Sequence, residues 1–346
     1  MARGEKMTIV INMRRGLDKR KLMVAARLIR EGKLVAFPTE TVYGLGADAL
    51  NERAVRRIFE AKNRPADNPL IVHIADFEQL KELAQEIPKE AKLLAERFWP
   101  GPLTLVLLKA ENVPRVTTGG LDAVAVRMPA HEIALALIRL SGKPIAAPSA
   151  NISGRPSPTT AEHVAEDLYG KIECIVDGGE TRIGVESTVI DLTERPPVLL
   201  RPGGLPLEDI EAVIGKVRIH PAVFGKKTDV AKAPGMKYRH YAPRAEVIVV
   251  EGSRERVEAK IAEVVEELKR KGLRVGVIGR ESYGADEFYH LGETVEEVAR
   301  NLFRALREMD KRGVDVIVAE GVEEKGLGLA VMNRLRKAAG YKIIRV

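Results

Sequence analysis

The apolar segments of this chain change their grammar at Pro243. Beyond it, short β-rich runs alternate strictly with long amphipathic stretches. Strands are expected at 245–250, 274–278, 314–319 and 342–345, with helices at 254–271, 295–312 and 327–339 between them. Such alternation builds parallel βαβ units, so this part reads as a small doubly wound, Rossmann-like α/β domain. Before it the pattern is looser. Asp18 caps a helix whose Leu22, Ala25, Ala26 and Ile29 recur at helical spacing until Gly32. Asn51 caps a second, carrying Val55, Ile58 and Phe59 and ending at Lys62. Strands are expected at 34–37, 70–74, 103–108, 123–127, 144–147, 172–176, 187–191 and 198–201, and further helices at 89–98, 132–141, 160–169 and 207–214. Several strands between 172 and 201 follow one another without a helix, which points to a mixed, open twisted sheet.

A length of 346 residues fits two domains. The boundaries expected are an α/β domain at 1–213, a basic linker at 214–243 and a small α/β domain at 244–346. The linker stands out by charge. It holds seven cations (Lys216, Arg218, Lys226, Lys227, Lys232, Lys237 and Arg239) against one acid, Asp229, and so supplies nearly all of the formal net charge of +7. The rest is close to neutral, so the basic balance does not imply a surface that coats nucleic acid. Apolar residues at 45% exclude a disordered chain, and the single Cys174 excludes a disulfide scaffold. Residues 1–15 are basic and then polar, without the apolar core of a signal peptide, and no run nears the ~20 apolar residues of a membrane span. A cytoplasmic protein with no membrane partner is expected. Two glutamines, Gln79 and Gln85, beside abundant Lys and Glu fit a heat-adapted source.

Chemistry gathers where strands end. Lys62-Asn63-Arg64-Pro65-Ala66-Asp67-Asn68-Pro69 precedes the strand bearing His73. Lys and Arg two apart, straightened by prolines, can aim a compact charge and a planar fork at phosphate or carboxylate oxygens; they also fit a solvated helix end. Pro148-Ser149-Ala150-Asn151-Ile152-Ser153-Gly154-Arg155-Pro156-Ser157-Pro158 leaves another strand, where open α/β sheets bind ligands. Its hydroxyls and amide either donate to oxyanions or hold the loop's own backbone. Thr39-Glu40-Thr41-Val42-Tyr43-Gly44-Leu45-Gly46 follows the first strand in the same way. Arg127, before Met128-Pro129, and Arg201, before Pro202-Gly203-Gly204, end two further strands and can converge above the sheet, with Ser187-Thr188 in the same cleft or simply in its strand.

No G-x-x-x-x-G-K-[S/T] or G-x-G-x-x-G is present, and one Cys with six scattered His gives no metal-ligand spacing. His131 and His163 read as helix-surface residues and His220 and His290 as loop residues; His73 and His240 stand out. The linker closes on Ala233-Pro234-Gly235-Met236-Lys237-Tyr238-Arg239-His240-Tyr241-Ala242-Pro243. Rings and cations bracketed by prolines suit a lid over an anionic aromatic ligand, or a patch touching RNA.

Taken together, 38–46, 62–69 with His73, 148–158, 201–204 and 234–243 resemble the two-domain threonylcarbamoyl-AMP synthases, a YrdC-like catalytic domain followed by a smaller C-terminal domain. The likeness spans the chain; the linker string is its most specific part. It departs from the family's usual Ser-Pro-Gly in opening Ala233-Pro234-Gly235.

The resemblance implies a nucleotidyltransferase that makes threonylcarbamoyl-AMP and pyrophosphate from L-threonine, bicarbonate (or CO2) and ATP. The product would serve threonylcarbamoyladenosine modification of tRNA, with a downstream threonylcarbamoyl transferase complex as partner and no direct tRNA contact required. By similarity, Lys62, Arg64, Ser149 and Asn151 would be catalytic; Thr41, His73, Arg127 and Ser187 would bind threonine. Asn68, Ser157, Arg201, His240 and Tyr241 would join Lys62, Arg64 and Ser149 on ATP. Mg2+ would enter with ATP, with no metal site of the protein's own. The small domain would anchor the lid or dock a partner. An RNA-binding module remains the alternative of another class, separable by its steep salt dependence. A related carbamoyl-transfer enzyme would carry zinc-finger and acylphosphatase modules, and neither is visible.

Overall fold

The computed structural model describes residues 7–237 and 240–346. Two compact units divide the chain. The first comprises Met1–Ser153, Ser157–Arg182 and Glu186–Lys237; the second comprises Gly154–Pro156, Ile183–Val185 and Tyr238–Val346. Tyr238, Arg239 and the first six residues, which the sequence reading placed in the lid and the basic N-terminus, lie outside the described residues.

The first unit is built on strands β1 (Ile9–Asn12), β2 (Val35–Phe37), β3 (Gly44–Asp48), β4 (Ile71–His73), β5 (Leu103–Leu108), β6 (Ala123–Arg127), β7 (Ile145–Ala146), β8 (Cys174–Asp177), β9 (Thr188–Asp191), β10 (Val198–Arg201) and β11 (Arg218–Ile219). They join in the order β1-β8-β2-β3-β7-β4-β6-β5-β9-β10-β11. Parallel pairs such as β4 with β6 and β5 with β9 sit beside antiparallel ones such as β5 with β6 and β9 with β10, so the sheet is mixed. Helices α1 (Lys19–Arg30), α2 (Glu52–Lys62), α3 (Phe77–Leu83), α4 (Lys89–Phe98), α5 (Glu132–Ser141), α6 (Ala161–Leu168) and α7 (Leu207–Ile214) connect them. The expected caps form: Asp18 accepts from the Arg20 and Lys21 amides, and Asn51 from those of Arg53 and Ala54. Leu22, Ala25, Ala26 and Ile29 of α1 pack with Ile133, Leu137 and Ile138 of α5 and with Val35, Phe37 and Val176 of the sheet.

Five strands and α-helices are additional to the sequence reading, β11 among them. β1 is an edge strand with one buried residue of four, and α3 is only 7 residues long. β3, Gly-Leu-Gly-Ala-Asp, has poor β propensity but is required by packing: a Cβ at Gly46 would stand 2.8 Å from both Ile145 and Phe37 side-chain carbons. The fifth belongs to the second unit.

The basic segment after Ile214 is no loose tether. β11 pairs with β10, and Ala222, Ala231, Ala233 and Met236 are buried against Ile71, Val106, Val189 and Val198. Two of its lysines meet acids from earlier in the chain, Lys232 meeting Asp191 at 3.0 Å and Glu194 at 2.6 Å, and Lys237 meeting Asp67 at 2.8 Å. The Lys232 ammonium in turn holds the Glu194 carboxyl below the usual range.

In the second unit, β12 (Glu246–Glu251), β13 (Val275–Gly279), β14 (Glu287–His290), β15 (Val316–Glu320) and β16 (Ile343–Arg345) form an all-parallel sheet in the order β14-β13-β15-β12-β16. The chain moves towards one edge through α8 (Arg254–Arg270), then back through α9 (Val295–Lys311) and α10 (Gly328–Ala338). Right-handed crossovers in opposite directions place α8 on one face and α9 with α10 on the other, the doubly wound arrangement expected. β14 is the fifth additional element; it is a half-exposed edge strand without an apolar run. It places His290 in a strand rather than a loop. Among the described residues no helix is long and apolar enough to cross a membrane.

Leu105, fully buried in central β5, is the residue whose truncation tests this core. Leu105→Ala is expected to cost about 2–5 kcal/mol, read as a lowered midpoint in chemical denaturation.

Candidate active site

The site begins with strand register. His73 closes β4, Arg127 closes β6 and Thr104 lies near the start of β5; His73 and Thr104 each pair with Arg127. Because β6 lies between the other two, the three side chains stand in a row. Ser187, one residue before β9, extends the row: its hydroxyl lies 2.7 Å from that of Thr104. Arg201, at the end of β10, donates from Nη2 to the Ser187 hydroxyl at 3.2 Å and carbonyl at 3.0 Å, and from Nε to that carbonyl at 3.1 Å. Arg201 thus reaches the hydroxyl pair directly, whereas Arg127 stands beside it through its register with Thr104 and finds its own partners elsewhere. Gly203 makes this possible, since a Cβ there would meet the Ser187 carbonyl carbon at 2.2 Å.

The loop between β2 and β3 approaches from the other side. The Thr39 hydroxyl accepts from the amides of Thr41 and Val42, folding the loop onto itself. This brings the Thr41 hydroxyl to Arg127 Nη1 at 2.9 Å. Arg127 also donates from Nε to the Gly101 carbonyl at 3.2 Å, and its Nη2 lies 2.6 Å from the Glu40 carboxylate. Arg127 and Glu40 are 4% and 2% exposed, a fully desolvated pair. His73 is equally enclosed; burial, reinforced by the Arg127 charge, pushes its imidazole down to about 3. It is neutral throughout the physiological range. The Phe37 ring meets it edge-on at 6.1 Å.

Lys62 and Arg64 do not project into solvent; they are 1% and 8% exposed. α2 ends at Lys62 with Asn63 in the left-handed region at φ 51°, which turns the chain sharply. The Lys62 ammonium donates to the carbonyls of Ser149 and Asn151, and the Ser153 amide returns a bond to the Lys62 carbonyl at 2.8 Å. Arg64 donates to the carbonyls of Asn68 at 3.3 Å and Pro69 at 3.1 Å. Each cation thus braces a different loop. Asn68 is buried, and its side-chain oxygen has no hydrogen-bond partner among the described residues. Asn151 donates to the Ile152 carbonyl at 2.8 Å, and Ser157 to Glu186 at 2.5 Å.

His240 and Tyr241 belong to the second unit. Tyr241, at φ 65° and 4% exposed, stacks on Phe303 with centroids 5.2 Å apart, and the guanidinium of fully buried Arg334 lies 5.3 Å from the same ring centre. The ring therefore fixes the chain at this point, and half-buried His240 follows its position. His163, expected on a helix surface, is buried at 6%, with Nδ1 3.3 Å from the Thr159 amide. It braces the start of α6 instead.

Thr104, Glu40 and Glu186 are participants the sequence reading did not single out. Thr104 had a signal, the sole polar residue in the strand Leu-Thr-Leu-Val-Leu-Leu. Glu40 lay inside a quoted tract, but nothing in the sequence pairs it with Arg127.

Among the described residues no group of three or more His, Cys, Asp or Glu could hold a metal. The carboxylates of the site are already engaged, Glu40 beside Arg127, Glu186 with Ser157 and Asp67 with Lys237.

Comparison with known proteins follows the same two-part division. Residues 27–203 match the Sua5_yciO_yrdC family model, described as telomere recombination, and residues 205–340 match a model for the threonylcarbamoyl-AMP synthase C-terminal domain. The threonylcarbamoyl-AMP synthase of Pyrococcus abyssi is 76% identical over 98% of this chain and 100% of its own length. That of Bacillus subtilis is 54% identical over 93% of each. The crystal structure of P. abyssi Sua5 complexed with L-threonine superposes with a TM-score of 0.97 at 76% identity, covering 98% of this chain and 100% of that one.

The buried imidazole gives a direct check. Below about pH 6.5 the unfolded chain takes up a proton that folded His73 refuses until about 3, so His73 erodes stability as pH falls between those values. An NMR titration is expected to show its ring resonances unmoved from pH 8 to 5; a midpoint near 6.5 would contradict the burial.

Proposed function

The chain belongs to the threonylcarbamoyl-AMP synthase family, and from that premise we propose that it joins L-threonine, bicarbonate (or CO2) and ATP into threonylcarbamoyl-AMP and pyrophosphate. The observation that carries this reading is the separation of two kinds of cation. Arg127 sits in a row of small neutral groups, Thr41, His73, Thr104 and Ser187, which suits one carboxylate and one hydroxyl. Lys62 braces the loop that carries Ser149, Asn151 and Ser157, and Arg64 braces the turn that carries Asn68, an arrangement that suits a chain of phosphates.

Threonine binds with its carboxylate on Arg127 and with Thr41, His73 and Ser187 around its remaining atoms. Neutral His73 adds no competing charge. The amine captures CO2 as a carbamate, and a carbamate oxygen attacks the α-phosphorus of ATP as pyrophosphate leaves. Lys62, Arg64, Ser149 and Asn151 hold the oxyanions of that step, while Asn68, Ser157 and Arg201 hold the nucleotide. Charge builds on oxygen throughout, so fixed donors do the work and no covalent nucleophile is needed. Mg2+ travels on the triphosphate as its counter-ion and takes its remaining ligands from water. The product passes to a threonylcarbamoyl transferase complex that modifies tRNA in the cytoplasm, and the synthase itself need not touch tRNA.

The test is to incubate the protein with α-labelled ATP, bicarbonate and a panel of amino acids, then separate the nucleotides. A new acyl-adenylate with pyrophosphate, dependent on both threonine and bicarbonate, is expected. ADP formed regardless of the amino acid would overturn the reading, and RNA would be the next ligand to test. Arg127→Ala is expected to raise the KM for threonine at least about tenfold, the loss of one bidentate charged contact, with the KM for ATP within twofold. The reverse split would place Arg127 on the nucleotide.

A further inference from the structure

Arg127 is held by three protein groups, and the third has no place in the scheme above. A guanidinium carries five N–H donors. Nε is used by the Gly101 carbonyl and one Nη1 hydrogen by the Thr41 hydroxyl, while Nη2 faces the Glu40 carboxylate at 2.6 Å. Nη1 keeps one hydrogen and Nη2 has no aligned acceptor among the described residues, so each terminal nitrogen retains a donor for a carboxylate taken end-on.

Glu40 itself is poorly repaid. It is 2% exposed, neither of its oxygens has an aligned hydrogen bond among the described residues, and the contact with Arg127 is made by charge alone. A buried carboxylate kept in that state contributes little to folding. It does change what Arg127 attracts. A bare buried guanidinium is a strong trap for the most highly charged anion present, and in this reaction that anion is the triphosphate of ATP, not the single carboxylate of threonine. Glu40 cancels most of that field at short range while leaving the two outward donors in a fixed plane. A directional monoanion can still use them; a polyanion gains little and is repelled by the carboxylate behind.

We infer that Glu40 is the positioning and specificity residue that reserves Arg127 for the carboxylate of threonine and excludes polyphosphate from the amino-acid pocket. The inference rests on the placement of threonine at Arg127.

The experiment measures threonine binding to the full chain by calorimetry, with and without inorganic triphosphate, beside steady-state kinetics. In the unaltered protein, threonine affinity is expected to change less than twofold with triphosphate. In Glu40→Gln, affinity is expected to fall at least tenfold when triphosphate is present and to recover when it is withdrawn, so that triphosphate behaves as a competitor of threonine. Glu40→Asp, which keeps the charge, is expected to restore at least half of the resistance. Glu40→Gln that binds threonine as the unaltered protein does, with or without triphosphate, overturns the inference. So does an equal loss of threonine and ATP affinity together with a lowered melting temperature in both variants, which marks a merely structural carboxylate. Failure of the unaltered protein to bind threonine at all sinks the placement at Arg127 instead.

Discussion

Four buried cations and the oxygens they hold organise the first unit. Lys62, Arg64, Arg127 and Arg201 are each less than a tenth exposed, and each donates to backbone carbonyl oxygens of loops beyond the sheet. Removing such charges from water costs several kcal/mol apiece, a cost offset only by well-placed acceptors. The loops must therefore lie where their carbonyls can reach, and the fixed loops in turn hold the hydroxyls and amides of Thr41, Ser149, Asn151 and Ser187. Preorganisation of a polar site and ordering of its loops are one interaction seen from two sides.

Strand register decides which side chains surround Arg127. β6 lies between β4 and β5, so Arg127 stands among His73, Thr104 and, through Thr104, Ser187. That row is nearly free of competing charge because burial holds His73 neutral and Glu40 offsets the guanidinium. The phosphate-suited cations come instead from the end of α2 and the loop after it. The division of labour in the proposed reaction thus follows from where elements end.

The sequence made much of this legible, and the limits are physical. Strands 103–108, 123–127 and 198–201 and helices 89–98, 132–141 and 207–214 stand as their periodicity predicted, because burial on one face or both leaves a clear pattern. β3 was invisible because its Gly-Leu-Gly-Ala-Asp run is chosen by the close approach of Ile145 and Phe37, a tertiary contact. The strand-end arginines were found from Pro following each, but the contact of Arg201 with Ser187 and the place of Arg127 beside Thr104 depend on a strand order that skips across the chain. His163 was misread for a similar reason. Its helical position fits a surface, yet a turn at Thr159 supplies a buried partner. The basic segment was seen as charge and missed as structure: its alanines and Met236 cover the sheet, and its lysines meet acids on distant parts of the sequence.

The central claim is that Arg127 receives the amino acid while Lys62 and Arg64 receive phosphate. The most direct test is a crystal structure of this chain with L-threonine and a non-hydrolysable ATP analogue. The account predicts the threonine carboxylate on the outward donors of Arg127 and the phosphate oxygens within reach of Lys62 and Arg64. Phosphate on Arg127, or threonine seated away from the row of His73, Thr104 and Ser187, would contradict it.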